Sequence, residues 1–234
     1  MRNQLDDELY NNLSVVELRR YVTKLGKRDM LIELFEREFI ESQEACGMVP
    51  AGQYRNLDDP DTFVWLRAFA DMETRRDALE AFYINSQAWR HHRNDANATM
   101  IDSDNVLLLR NARPNSGLDL RGLTRPGLSE QPNKHSFLAA SICMLDSPAD
   151  HAYLAAFEND VLPRLQAHAQ RIAYFVTEER PNDFPRLPVR EGEWAFVATG
   201  ICPNAEALAA WLRVFEGRCT ETLRLKPTAR SLYG

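Results

Sequence analysis

Glu17, Arg19 and Tyr21 stand at alternate positions of one short segment, and Trp65 and Arg67 do the same in another. Residues two apart on a β-strand point to the same face, so each segment offers a face carrying charged and aromatic groups. Arginine presents a planar fork of donors suited to a carboxylate or an enolate. Tyr21 and Trp65 supply flat apolar surface for the body of such a molecule. Tyr54, on an intervening segment, joins them if its register points the same way. The opposite faces carry Val16, Leu18 and Val22 in the first segment, and Val64, Leu66 and Ala68 in the second. These small aliphatic sets are expected beneath helices. Glu17, Arg19, Tyr21, Trp65 and Arg67 would then face the space between two sheets. Buried charges are costly unless paired. Two readings follow: an ion-pair network that keeps the interface in register, or a pocket in which Arg19 and Arg67 hold an anionic or enolic small molecule.

The elements that carry these residues follow from periodicity. Strands are expected over 15–22, 48–55, 62–69 and 105–110. A helix over 28–45 is marked by Met30, Leu31, Leu34, Phe35 and Phe39, and Gly47 lies at its end. Asp71 caps a second helix reaching Tyr83, with Glu73, Arg75 and Arg76 as its solvent face. Trp89 to Asn94 is a further short helical stretch. Residues 111–134 read as a linker, with Arg113-Pro114-Asn115-Ser116-Gly117 and Arg125-Pro126-Gly127. The order then repeats: strand 136–145, helix 149–169, strands 171–178 and 193–200, helix 204–216 and strand 221–226. Phe35-Glu36 recurs as Phe157-Glu158 at the same spacing that separates Glu44 from Gln166. The fold class is therefore α+β: two tandem ferredoxin-like (βαββαβ) domains, 13–110 and 135–230. Their antiparallel sheets are expected to pack face to face with helices outside.

Composition narrows the function. The chain has 234 residues, 44% hydrophobic and 26% charged, in the range of globular proteins. A net charge of −6 argues against non-specific nucleic-acid binding, and Arg90-His91-His92-Arg93 is too short to reverse that. No apolar run is long enough to span a bilayer. The acidic start, with Asp6, Asp7 and Glu8 and no apolar segment, argues against a signal peptide, so a cytoplasmic location is expected. Residues 1–12 are expected to fray. Cys46, Cys143, Cys202 and Cys219 are scattered without a paired motif and read as reduced, mostly buried thiols. His91 and His92 are adjacent and point apart on a helix, which suits surface residues. His135 and His151 suit capping or solvent, and Trp89 and Trp211 suit the core. Metal-ligand, nucleotide-loop and nucleophile-elbow patterns are lacking, so no metal and no cofactor are expected.

Glu17-Leu18-Arg19-Arg20-Tyr21, followed by Leu25-Gly26-Lys27, resembles the opening motif of the NIPSNAP family. Val64-Trp65-Leu66-Arg67 resembles its third strand. Arg75-Arg76-Asp77-Ala78-Leu79, with Tyr83 and Trp89, resembles its second helix and the tryptophan beyond. The likeness covers residues 14–110. The second half follows in pattern only, with Phe196 and Ala198 where Trp65 and Arg67 stand. The resemblance implies a dimeric α/β-barrel, here assembled within one chain. It implies no single reaction, since that superfamily includes cofactor-free monooxygenases, haem-degrading enzymes, isomerases and proteins of no known activity. Some relatives ligate haem through a helix histidine, but His168 has no supporting motif. The preferred reading is binding or transformation of a small organic molecule between the sheets, without metal or nucleotide. Any catalysis would be cofactor-independent and monooxygenase- or isomerase-like. The alternative is a non-catalytic protein–protein interaction or assembly module whose ion pairs are structural. A homo-oligomer stays open through pairing of sheet edges.

Overall fold

In the computed structural model, which describes residues 10, 12–130 and 135–234, strand, helix, strand, strand, helix, strand occurs twice. The first half holds β1 (Val15–Thr23), β2 (Val49–Asn56), β3 (Thr62–Phe69) and β4 (Met100–Asn111). The second holds β5 (Phe137–Leu145), β6 (Gln170–Thr177), β7 (Trp194–Cys202) and β8 (Glu221–Pro227). All pairings are antiparallel, and the strands close in the order β1-β3-β2-β8-β5-β7-β6-β4. Two seams join the halves. Tyr54 to Asn56 of β2 pair with Leu225 to Pro227 of β8, and Leu109 to Asn111 of β4 pair with Phe175 to Thr177 of β6. The sheets thus meet along both edges, and closure leaves neither with the unpaired edge that would otherwise invite association.

Helix α1 runs through Arg28–Leu34, a π-helical turn at Phe35–Phe39, and Ile40–Glu44. Helix α2 (Met72–Glu80) continues into a π turn at Ala81–Asn85, and α3 is Gln87–Thr99. In the second half α4 comprises His151–Ala156, a π turn at Phe157–Val161 and Leu162–Gln166, and α5 is Ala205–Phe215. Asp71 caps α2 as expected, accepting from the Thr74 amide at 2.7 Å. Helix α3 is longer than the expected stretch over 89–94. Its exposed Asn94, Asp95 and Asn97 are weak helix formers that mask the pattern.

The barrel interior is filled by one row of side chains from every strand. Val16, Leu18, Leu66, Leu107, Leu138, Phe175, Val197 and Leu225 are among them. This corrects the expected facing. The parity sets are as read, but Val16, Leu18, Val64, Leu66 and Ala68 point into the barrel. An eight-stranded barrel is only wide enough for its own side chains, so it takes the small aliphatic row. The bulky row goes outward beneath the helices. Val22, also expected beneath helices, is 38% exposed. Tyr54 points inward, away from the charged set, and donates to the Tyr233 carbonyl.

The described part of the linker is not a loose tether, because Leu118 and Leu120 join the interior core. Residues 131–134, and 1–9 and 11 of the segment expected to fray, lie outside the described residues. The cysteine reading is also corrected: Cys143 and Cys219 form a disulfide. Pairing of Ile142 with Glu221 across β5 and β8 brings them together despite their separation in sequence. Cys46 and Cys202 remain free thiols, and burial raises both, Cys202 to about 11. Among the described residues, no helix is long and apolar enough to cross a membrane. Nor does any group of three or more His, Cys, Asp or Glu side chains among them suit a metal ion.

Candidate functional site

On the outer face of β1 and β3, Glu17 lies opposite Arg67 and Arg19 opposite Trp65. All four are at most 1% exposed. Glu17 Oε2 accepts from Arg19 Nη1 at 2.8 Å and from Arg67 Nε and Nη2 at 2.8 and 2.6 Å. Glu17 Oε1 accepts from Arg75 Nε at 2.8 Å. One carboxylate therefore anchors three guanidiniums. Burial alone would raise the Glu17 carboxyl, but Arg67, Arg19 and Arg75 together hold it well below the usual carboxylate range.

Arg75, expected on the solvent face of α2, is fully buried. It shares the inward stripe of Ala78, Leu79 and Phe82, three, four and seven positions on, and that spacing was the signal for it. Its other donors reach the long β6–β7 loop of the second half. Nη1 pairs with Asp183, and Nη2 lies 3.2 Å from Asn182 Oδ1. No sequence pattern foretold that contact. Three guanidiniums facing the Glu17 and Asp183 carboxylates leave the cluster with one net positive charge.

Above this network lies a cavity of about 240 Å³ between the barrel wall and the helices. Tyr21 and Trp65 line its strand side, and Leu31, Phe35, Phe39, Phe82, Tyr83 and Trp89 line its helix side. Phe35 and Phe39 belong to the π turn of α1, while Phe82 and Tyr83 belong to that of α2. Such turns recur at functional sites. The rings meet edge-on, Phe35 with Trp65 and Tyr83 with Trp89 each at 4.8 Å between centres. Asn97, Ser103 and Arg186 add polar groups.

Two donors stand out. Trp65 Nε1 is buried and has no hydrogen-bond partner among the described residues. Tyr21 Oη accepts from Arg19 Nε at 2.9 Å, so its own proton is directed elsewhere. Burial, with the neighbouring Tyr83 also contributing, raises the Tyr21 phenol, so it is a donor at neutral pH.

Of the six sequence candidates, Tyr21 and Trp65 border the cavity, and Glu17, Arg19 and Arg67 form the network behind them. Tyr54 belongs to neither. Arg19 and Arg67 lie 5.6 and 5.0 Å from the Trp65 ring centre. Arg67 spends its donors on Glu17 and on Tyr83 Oη at 3.0 Å, with Gln43 Oε1 at 3.5 Å. Trp89, expected as core, is a half-buried wall of the cavity. His92 sits at the surface with Nε2 3.4 Å from Glu38 Oε2.

The second half replaces this set together. Ala139 and Ser141 on β5, Gly200 on β7 and Leu208 on α5 take the places of Glu17, Arg19, Arg67 and Arg75. The expected placing of Phe196 and Ala198 is corrected by two residues: Ala198 pairs with Ser141 as Trp65 pairs with Arg19, so it stands in the place of Trp65, and Phe196 in that of Phe63. Trp211 fills the space, with Nε1 donating to Ser141 Oγ at 3.0 Å. Gly200 makes room for it: a Cβ there would come within 2.4 Å of Trp211 Cζ3.

Fold and site together define an α+β barrel of the ferredoxin-like, dimeric-barrel kind. It is similar to a candidate monooxygenase from Lactobacillus acidophilus NCFM at 11% identity and a TM-score of 0.54, covering 94% of this chain and 97% of that one. A candidate monooxygenase from Fusobacterium nucleatum is similar at 7% identity and a TM-score of 0.56, covering 93% of each chain. At such identities the likeness is one of fold alone. Residues 16–113 match the model of the NIPSNAP family. A NIPSNAP family protein of unknown function from Agrobacterium tumefaciens aligns at 21% identity and a TM-score of 0.38, over 44% of this chain and 92% of that one. No curated protein matches the chain.

Proposed function

We propose that this protein binds a small organic molecule carrying an anionic or enolic oxygen in the aromatic cavity outside the barrel wall. The observation that carries the reading is the orphan indole donor of Trp65, buried in the wall of that cavity. A buried donor without a partner costs about 1–3 kcal/mol, and a ligand oxygen would recover it. The Tyr21 hydroxyl, oriented by Arg19, supplies a second donor. The positive charge behind them favours an oxygen that carries or develops negative charge, as in an oxyanion hole. At about 240 Å³ the cavity lies just below the roughly 300–1,000 Å³ of drug-sized sites, which suits a ligand of one or two rings.

Tyr21 and Trp65 touch the ligand in this account, while Glu17, Arg19, Arg67 and Arg75 are positioning residues. The arrangement suits cofactor-independent monooxygenase- or isomerase-like chemistry through a stabilised enolate, using side chains of this chain for binding. We also read the chain as two tandem ferredoxin-like domains, 13–110 and 135–230. The matching strand orders and the paired π turns at Phe35 and Phe157 support that.

The test is a titration of the ¹⁵N-labelled protein with 2-naphthol, reading the four tryptophan indole N–H resonances. The Trp65 signal, assigned by Trp65→Phe, is expected to move, while that of Trp211, already bonded to Ser141, stays in place. Trp65→Phe should weaken binding about tenfold. Saturation of the protein without movement of the Trp65 signal would reject the reading.

A further inference from the structure

The β6–β7 loop leaves the second half, whose own outer face is filled by Trp211, and crosses to the first. The Glu178 amide donates to the Leu108 carbonyl at 2.9 Å, and the Arg190 amide to the Val106 carbonyl at 2.9 Å, so both ends are stitched to β4. Between them Phe184 is 8% exposed, packs in the helix-covered core of the first half and lies 6.2 Å from the Tyr83 ring. Arg75 holds Asp183 and Asn182 from beneath. The loop is also tied internally. Asn182 Nδ2 donates to the Leu187 carbonyl at 2.9 Å, and the Leu187 amide donates to the Phe184 carbonyl at 3.1 Å. Pro181, Pro185 and Pro188 restrict it further. It is a pre-organised wall, and it carries Leu187 and Arg186 to the cavity.

Arg186 differs from the other arginines around the site. It is exposed, and it makes no hydrogen bond or ion pair among the described residues. Asn97 and Ser103, which also border the cavity, carry no charge. A free guanidinium beside an aromatic cavity is equipped to take a carboxylate. Trp65 and Tyr21 offer donors to an oxygen deeper inside.

We propose that the second half supplies the selectivity wall of the first half's site, and that Arg186 binds the anionic end of a small aromatic carboxylate held there. This rests on the cavity being a binding site. It adds that the ligand has two polar ends: an oxygen at Trp65 and Tyr21, and a carboxylate at Arg186.

The experiment compares 6-hydroxy-2-naphthoate with its neutral isostere 6-hydroxy-2-naphthamide by isothermal calorimetry. The proteins are the full-length wild type, Arg186→Ala and Arg186→Glu. The wild type is expected to favour the carboxylate about tenfold. Arg186→Ala should bring that ratio near one, the loss falling chiefly on the carboxylate, and Arg186→Glu should invert it. Since Arg186 is exposed and unpartnered, a merely structural role would move both ligands together. A preference that survives Arg186→Ala, or equal binding of both ligands by the wild type, overturns the inference and leaves the cavity reading standing. Failure of the wild type to bind either ligand overturns the cavity reading and the inference with it.

Discussion

Replacing Glu17 by glutamine is expected to lower the unfolding free energy by about 3–5 kcal/mol, the usual cost of breaking a buried ion pair from one side. Glu17 receives four hydrogen bonds from three arginines. Without its charge, Arg75 keeps Asp183, while Arg19 and Arg67 lose the carboxylate they share. Glutamine keeps the shape of the side chain, so the loss reports on charge. The effect depends on pH with a definite sign. Because the folded-state pKa of Glu17 lies below its unfolded value, its stabilisation is complete above the unfolded value, near 4.3. It is lost as pH falls through the folded value. Urea unfolding of wild type and variant should therefore differ fully at pH 7, with the difference beginning to narrow only below about pH 4 and closing as pH nears the depressed folded value. Equal stability at pH 7 would mean that the network contributes nothing net.

Tyr233→Ala is expected to be as costly, about 3–5 kcal/mol. Tyr233 is wholly buried in the barrel core beside Leu232. Its amide donates to the Ala51 carbonyl at 2.7 Å, its carbonyl accepts from Tyr54 Oη, and its hydroxyl donates to the Arg171 carbonyl. Arg171 has φ of +46° beside an irregularity of β6. The Tyr233 hydroxyl thus stabilises a backbone conformation that a non-glycine residue rarely adopts. Tyr233→Phe should recover most of the loss, leaving about 1–3 kcal/mol for the hydroxyl and the carbonyl it orphans. Thermal or urea unfolding of both variants checks this. A loss under about 1 kcal/mol for Tyr233→Ala would show that the C-terminal segment is dispensable to the core.

The strands, their parity and the pairing of Glu17 with Arg19 and Arg67 were legible from alternation and charge. Which face turned inward was not. Period two states which residues share a face, and only the capacity of a closed barrel decides which row fills it. Arg75 was readable from its place on the stripe of Leu79 and Phe82, yet its charge suggested solvent. Asp183, Phe184 and Arg186 reach the site through a loop without periodicity, so no local signal assigned them. The divergence of the second half was visible in its first strand, which lacks the charged residues. Its third strand reads two residues out of register from sequence alone, because only the pairing with β5 shows that Ala198 and Gly200 replace Trp65 and Arg67. The role of Trp211 in filling it needed the packing of α5 on Ser141 and Gly200.

The most direct test of the cavity is a crystal of the protein soaked with 6-bromo-2-naphthol, with the bromine located by anomalous scattering. A peak is expected between the outer barrel wall and the helices, bordered by Trp65, Trp89 and Leu187. A peak inside the barrel among Leu18, Leu66 and Val197, or bound ligand elsewhere with none in that cavity, would contradict it.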